Sequence, residues 1–325
     1  MSENRLATAD VPRHVLSLIP IPAVTREALS ARHPLHETPQ GLRDLIGTNA
    51  GSIPFEKIAA VVTNGTTGLS GEWMARMPAL RVVSAFGVGH ENIDLQAAAA
   101  QGVTVTNAPG TNDETVADHA LGFMLALSRG YGTLTTAVRA GRWESSRAAR
   151  PTLSGAAVGI IGMGRIGQGI ARRCEAFGMR VAYCTRNPRS DLQHYIHEPD
   201  LQALARQSDF LVAACPGGPA THHLINANVL KALGPLGYVI NVARGSVVNT
   251  DDLVQALEHG VIAGAGLDVL EDEPRVPDAL AQRDNVLITP HMAGRSPAAQ
   301  QAQTDVLLQS IEDALAGREP RYKVG

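Results

Sequence analysis

A short apolar run, Val158–Ile161, leads directly into Gly162-Met163-Gly164-Arg165-Ile166-Gly167, and a helix-like stretch, Gln168–Phe177, follows. No other feature of the chain restricts its fold so tightly. A G-x-G-x-x-G pattern alone is weak, but a strand before it and a helix after it make the unit that binds a dinucleotide. Gly162 permits the tight turn, Gly164 lets backbone approach a pyrophosphate, and Gly167 lets helix pack close to strand. The helix start then offers N–H groups and the positive end of its dipole to phosphate oxygens.

In such a unit an acidic residue about 20 positions past the last glycine takes the ribose 2′-OH of NAD. Here the next strand ends Cys184-Thr185-Arg186-Asn187, with Arg189 and Asp191 just beyond. An arginine suits a 2′-phosphate, so Thr185, Arg186 and Asn187 are read as the end of an NADP site, with NADPH preferred and NAD possible. The plain alternative is a solvated surface arginine. A shifted strand end would bring Asp191 forward and favour NAD.

The rest of the chain repeats the same rhythm. His14–Ile19, Ala59–Thr63, Leu80–Ala85 and Val103–Thr106 read as strands, separated by helix-like segments such as Ser70–Met77 and Leu95–Gln101. The runs are apolar throughout, as parallel strands covered on both faces require. Glu114–Ser128 carries Ala117, Leu121, Met124 and Leu125 at helical spacing, with Thr111 or Asn112 as its cap. Arg139–Thr152 is polar and reads as a loop or extended arm. A second series follows, with strands at Val158–Ile161, Arg180–Cys184, Phe210–Ala213, Tyr238–Asn241, Ala263–Leu267 and Val286–Thr289. The last ~25 residues read as one amphipathic helix and a short tail. The βαβ alternation implies open parallel sheets, and 325 residues suffice for two domains.

Composition removes other classes. A net charge of −3 with scattered Lys and Arg leaves no electrostatic footprint for nucleic acid. No apolar run approaches the ~18–20 residues of a membrane span, and the first residues lack a secretory pattern. Three cysteines, Cys174, Cys184 and Cys215, without CxxC spacing, argue against a disulfide or zinc scaffold. A cytoplasmic protein is expected. There is no Walker A, GxSxG or HExxH motif.

An ordered series of segments carries a family resemblance: Phe86–Gly89, Val103–Pro109, Thr115–Leu121, the glycine fingerprint, Pro216–Pro219, Asn241–Val247, Gly264–Pro274 and Thr289–Gly294. Together they resemble the D-isomer-specific 2-hydroxyacid dehydrogenases, and within them the NADPH-preferring glyoxylate/hydroxypyruvate, hydroxyphenylpyruvate and 2-ketogluconate reductases. The resemblance implies an α/β protein of two Rossmann-like, doubly wound domains. Residues 1–108 and 296–325 would form a flavodoxin-like substrate domain, and 109–295 the dinucleotide-binding domain. It also implies a homodimer through the Glu114–Ser128 helix and the Arg139–Thr152 arm.

The same resemblance assigns roles. Arg244 would hold the carboxylate of a small 2-keto acid and polarise its carbonyl, a task that suits a forked guanidinium. His291 would give a proton to the carbonyl oxygen as it becomes a hydroxyl. Glu273 would hydrogen-bond the other ring nitrogen and favour the charged imidazole. Val88 and Gly89 would bind substrate through backbone N–H groups, alongside Arg244 and His291. Besides the fingerprint residues Gly162, Met163, Gly164, Arg165, Ile166 and Gly167, the cofactor would touch Cys215, Pro216, Val242, Ala243, Asp268, His291 and Gly294, with Asp268 at the nicotinamide amide. His90-Glu91 departs from the family pattern after Gly89, and small residues at Thr63, Asn64 and Gly65 suit a small substrate. No metal is expected. The acidic run Asp268–Glu273 fits no dedicated site, and adjacent His222 and His223 lack further ligands.

Two rivals remain. An NAD-dependent phosphoglycerate-type dehydrogenase is disfavoured by Arg186 and by a chain end at Gly325 that leaves no room for a regulatory domain. A non-catalytic, dinucleotide-sensing corepressor shares the fold and a similar residue set, so fold alone does not prove turnover.

Overall fold

The computed structural model describes residues 12–38, 41–42 and 53–324. Most of the N-terminal stretch read for a secretory pattern therefore lies outside the described residues. Contacts divide the chain into two units, one reaching Asn112 and resuming at Ser296, the other Asp113–Arg295.

The first unit contains β1 (His14–Ser17), α1 (Ala23–Ser30), β2 (Leu35–Glu37), β3 (Ile58–Thr63), α2 (Gly71–Met74), β4 (Val82–Ala85), α3 (Leu95–Ala100) and β5 (Thr104–Thr106), then α11 (Pro297–Leu315) and β13 (Lys323–Val324). Its sheet runs β13-β5-β4-β3-β1-β2. β1 to β5 are mutually parallel in the flavodoxin-like order, and β13 joins antiparallel to β5. All six residues of β3 are buried, which explains why Ile, Ala and Val fill it up to the closing Thr63. Ser296 caps α11 by accepting the Ala299 N–H, and Pro297 fills its first turn.

The second unit contains α4 (Asp113–Arg129), α5 (Tyr131–Arg139), β6 (Ala157–Ile161), α6 (Arg165–Ala176), β7 (Arg180–Cys184), β8 (Ile196–His197), α7 (Leu201–Arg206), β9 (Phe210–Ala213), α8 (Ala227–Leu233), β10 (Tyr238–Asn241), α9 (Thr250–Glu258), β11 (Gly264–Leu267), α10 (Asp278–Ala281) and β12 (Val286–Ile288). Its sheet is parallel throughout, ordered β12-β11-β10-β9-β6-β7-β8. Strand order reverses between β6 and β9, so the crevice at their carboxyl ends is the topological switch point where such sheets bind ligands. α4 lies close on the sheet because Gly266 of β11 leaves room for Phe123; a methyl there would stand 2.8 Å from its ring.

Several expectations change. The second sheet has seven strands rather than six, because the two-residue β8 adds an edge. α1, α5, β2 and β13 were not anticipated, and Arg139 ends α5 rather than starting a loop. Neither proposed cap of α4 acts as one. The Thr111 hydroxyl donates to Ala108 O, and Asn112 Oδ1 has no partner among the described residues.

Candidate active site

β6 ends at Ile161 and the chain turns at Gly162, whose φ of +92° favours glycine. A methyl there would also meet the Cys215 backbone at 2.7 Å. Gly167 sits where α6 crosses this turn, with an added Cβ 2.1 Å from Gly162 O. Gly164 differs: nothing stands within 4 Å of where its Cβ would be. An open cradle at the N-terminus of a 12-residue helix, at the switch point, fits a dinucleotide pyrophosphate. The side chain of Met163 is buried, as are those of Val242 and Ala243, so these three present backbone rather than side chain.

At the end of β7, Arg186 is exposed and has no partner among the described residues. The Thr185 hydroxyl donates to Asn187 O at 2.7 Å and closes the turn. Asp191 is occupied. Arg189 grips it with Nε at 2.9 Å and Nη2 at 2.7 Å, and its Nη1 reaches Met163 O at 3.3 Å. That bidentate hydrogen bond holds the Asp191 carboxyl below its usual range. The sequence offered Asp191 as a rival ribose ligand; here its carboxylate pairs with Arg189 instead.

Three polar residues stand at strand ends. Arg244 follows β10, in a turn built by buried Asn241, which accepts the Ala243 N–H and donates to Arg244 O. Its Nη1 donates to Ala243 O at 2.7 Å, and Gly217 gives room to the stem, since a methyl there would lie 2.7 Å from Arg244 Cγ. Glu273 lies on the segment after β11, where Oε1 accepts the Leu270 N–H at 3.0 Å. His291 lies beyond β12 with a left-handed φ of +50°. The structure brings the last two together: His291 Nδ1 is 2.8 Å from Glu273 Oε2. Burial raises the Glu273 carboxyl, but the hydrogen bond and charge of His291, the Leu270 N–H and the charge of Arg244 together hold it below its usual range.

Asp268 is engaged within the chain. It is 3% exposed, and its oxygens receive Thr289 Oγ1 at 2.6 Å, Met292 N at 2.8 Å and Ala293 N at 2.9 Å. The family resemblance sets it at the nicotinamide amide; within the chain it gathers the loop that carries His291. Gly294 follows that loop, half-buried. Cys215 and Pro216 follow β9, and burial pushes the Cys215 thiol up to about 11.

In the first unit, no acceptor among the described residues takes the N–H of Val88 or Gly89. Asn107 Nδ2 donates to Val88 O at 2.8 Å and fixes that peptide, while His90 Nδ1 lies 3.3 Å from the same oxygen. Of the small residues at 63–65, Thr63 is buried with its hydroxyl on Gly68 O, while Asn64 and Gly65 are half-buried.

His222, His223 and Glu271 place ligand-type atoms within 4.8 Å of one another. His223 is nevertheless committed. Asn249 accepts the Asp252 N–H through Oδ1, so its Nδ2 donates to His223 Nδ1, and His223 Nε2–H donates to Glu271. Glu271 also accepts the Thr250 N–H at 2.8 Å. This network ties the loop after β9 to the segment ahead of Glu273, a function invisible from adjacent histidines alone.

The profile of the family described as "D-isomer specific 2-hydroxyacid dehydrogenase, NAD binding domain" matches residues 121–293. A hydroxyphenylpyruvate reductase of Plectranthus scutellarioides is 37% identical over 307 residues, covering 94% of this chain and 96% of that protein. A glyoxylate/hydroxypyruvate reductase A of Arabidopsis thaliana is 39% identical over 262 residues, covering 80% and 83%. Among solved structures, the NADPH-dependent glyoxylate/hydroxypyruvate reductase of Sinorhizobium meliloti, in complex with NADP and malonate, is similar with a TM-score of 0.88 and 36% identity, covering 97% of each chain.

Proposed function

The chain belongs to the D-isomer-specific 2-hydroxyacid dehydrogenases, a family of oxidoreductases, and on that premise we propose that it is an NADPH-preferring reductase of small 2-keto acids of the glyoxylate/hydroxypyruvate class. The observation that carries the proposal is the 2.8 Å pairing of His291 Nδ1 with Glu273. A carboxylate held ionised at Nδ1 fixes the ring and leaves Nε2 to exchange a proton. In the reductive direction His291 Nε2 gives its proton to the C2 carbonyl oxygen, which becomes the hydroxyl of the D-2-hydroxy acid. Arg244 pairs with the substrate carboxylate and polarises the carbonyl. We also assign substrate binding to the N–H groups of Val88 and Gly89, which no acceptor among the described residues takes. The nicotinamide supplies the hydride when bound.

The NADPH preference rests on Arg186, exposed and unpartnered among the described residues, and on the engagement of Asp191 by Arg189. A free guanidinium favours a 2′-phosphate, and a carboxylate already paired is a poor receiver of a 2′-OH. The dimer proposal rests on exposed apolar side chains along α5 and the arm after it, Tyr131, Val138 and Trp143 at 52%, 43% and 62%. A concentration-independent monomer in sedimentation would refute it. No helix among the described residues is long and apolar enough to cross a membrane. The three cysteines are free, which suits the proposed cytoplasmic location.

The test is a panel of glyoxylate, hydroxypyruvate and hydroxyphenylpyruvate with NADPH, with chiral analysis of the products of the last two. Rapid formation of D-glycerate from hydroxypyruvate, lost in His291→Ala, is expected. An L product would overturn the D-specific reading, and an unimpaired His291→Ala enzyme would overturn the assignment of the proton donor.

A further inference from the structure

We propose that His119, in the middle of α4, is a positioning residue for the loop that presents His291, acting through the Thr289 hydroxyl and the Asp268 carboxylate. The inference rests on the reading of His291 as proton donor. It starts from a proton count. A threonine hydroxyl has one proton, and Thr289 gives it to Asp268 Oδ1 at 2.6 Å. His119 Nε2 lies 3.0 Å from the same hydroxyl oxygen, so that nitrogen carries the hydrogen and donates it. The result is a directed chain, His119 Nε2–H to Thr289 Oγ1–H to Asp268.

The other end of the chain is the His291 loop itself. Asp268 receives the N–H groups of Met292 and Ala293 on its carboxylate and that of His291 on its backbone carbonyl, all at 2.8–2.9 Å. His291 thus sits between two anchors, Thr289 before it and Met292 after it, and both converge on Asp268 Oδ1. Its left-handed backbone is held by these bonds. His119 is fixed in turn, its ring edge-on to Phe123 with centroids 4.5 Å apart, and Phe123 is seated over Gly266. Removing the His119 donor leaves the Thr289 hydroxyl oxygen without that bond and loosens the anchor that precedes His291. The imidazole then loses its orientation while Arg244 is untouched. Turnover should suffer and substrate affinity should not.

The experiment compares His119→Leu with His119→Gln, whose amide can donate to the same hydroxyl, and Thr289→Val with Thr289→Ser. Each is measured for thermal stability, for kcat and KM with hydroxypyruvate, and for the ring resonances of His291 by NMR. His119→Leu should lower kcat about 10-fold or more with KM changed less than about 3-fold, as small misplacements of a reacting group do. His119→Gln should recover most of that loss, and Thr289→Ser should resemble the parent. The double variant His119→Leu/Thr289→Val should be no slower than Thr289→Val alone, because both break one chain. The His291 resonances should move in His119→Leu and return in His119→Gln. Equal loss in the Leu and Gln variants, additive effects in the double variant, or a folded His119→Leu enzyme with parental kcat would each overturn the inference. Should His119→Leu fail to fold, the Thr289 pair decides the same point. An active His291→Ala would sink the underlying reading; an inactive His291→Ala beside an unimpaired His119→Leu would sink this inference alone.

Discussion

Gly164→Ala and Gly167→Ala are the same chemical change three residues apart, yet the structure predicts opposite consequences. At Gly167 the new methyl would stand 2.1 Å from Gly162 O and 3.1 Å from Gly162 C. Both are backbone atoms of a tight turn, so relief requires α6 to move away from β6 by roughly 1 Å. Overpacking of this kind costs about 1–3 kcal/mol, and an immovable neighbour places it near the top of that range. For a unit of this size that lowers Tm by roughly 6–12 °C. At Gly164 the backbone, φ −75° and ψ −161°, is open to alanine, and nothing lies within 4 Å of the methyl. The loss of unfolded-chain entropy, worth about 0.4–1 kcal/mol, offsets the poorer N-cap, so Tm should stay within about 2 °C. The methyl nevertheless fills the space proposed for the pyrophosphate. NADPH affinity, read from the fluorescence of the bound nicotinamide, should fall at least about 10-fold, or 1.4 kcal/mol. A Gly164→Ala protein as unstable as Gly167→Ala would refute the packing argument. Unchanged NADPH binding by Gly164→Ala would refute the placement of the phosphates.

Three further outcomes are expected. Arg186→Ser should lower kcat/KM for NADPH about 10-fold, the value of one exposed charge-assisted contact, and leave NADH within about 3-fold; equal losses with both cofactors would remove Arg186 from the 2′-phosphate site. Because the folded Glu273 carboxyl titrates below its usual value of about 4.5, its contribution to stability is complete above that pH and is lost as pH falls through the lowered value. Glu273→Gln should therefore flatten the acid side of the Tm–pH curve, and an identical acid slope in both proteins would contradict the pairing. Burial pushes the thiols of Cys174 and Cys215 up to about 12 and about 11, so iodoacetamide at pH 8 should label them slowly until urea is added. Rapid labelling of Cys215 in the folded protein would mean that the loop after β9 opens readily.

The sequence foretold strands best where parallel pairing buries both faces. β7, β9 and β10 have the expected limits, because Arg180–Cys184, Phe210–Ala213 and Tyr238–Asn241 are apolar runs bounded by polar or glycine-rich turns. Edge elements escaped notice. β8 is two residues long, and β13 pairs antiparallel with β5 through Lys323 and Val324, far too little to leave a pattern. α5 was obscured by Thr133, Thr135, Thr136 and Val138, β-branched residues that disfavour helix, on a segment with no buried side chain. Spacing said nothing of the contact between Glu273 and His291, whose motif positions made it an expectation. The buried carboxylate of Asp268 and the donor at His119 were beyond reach, since a histidine 170 residues from its partner carries no local signal.

The most direct test of the account is kcat/KM for hydroxypyruvate with saturating NADPH and with saturating NADH, measured on the parent protein and on His291→Ala. The account predicts higher kcat/KM with NADPH, and loss of turnover with both cofactors when His291 is removed. A parent protein faster with NADH would contradict the reading of Arg186, and a His291→Ala protein that still turns over would contradict the pairing with Glu273 as the device that handles the proton.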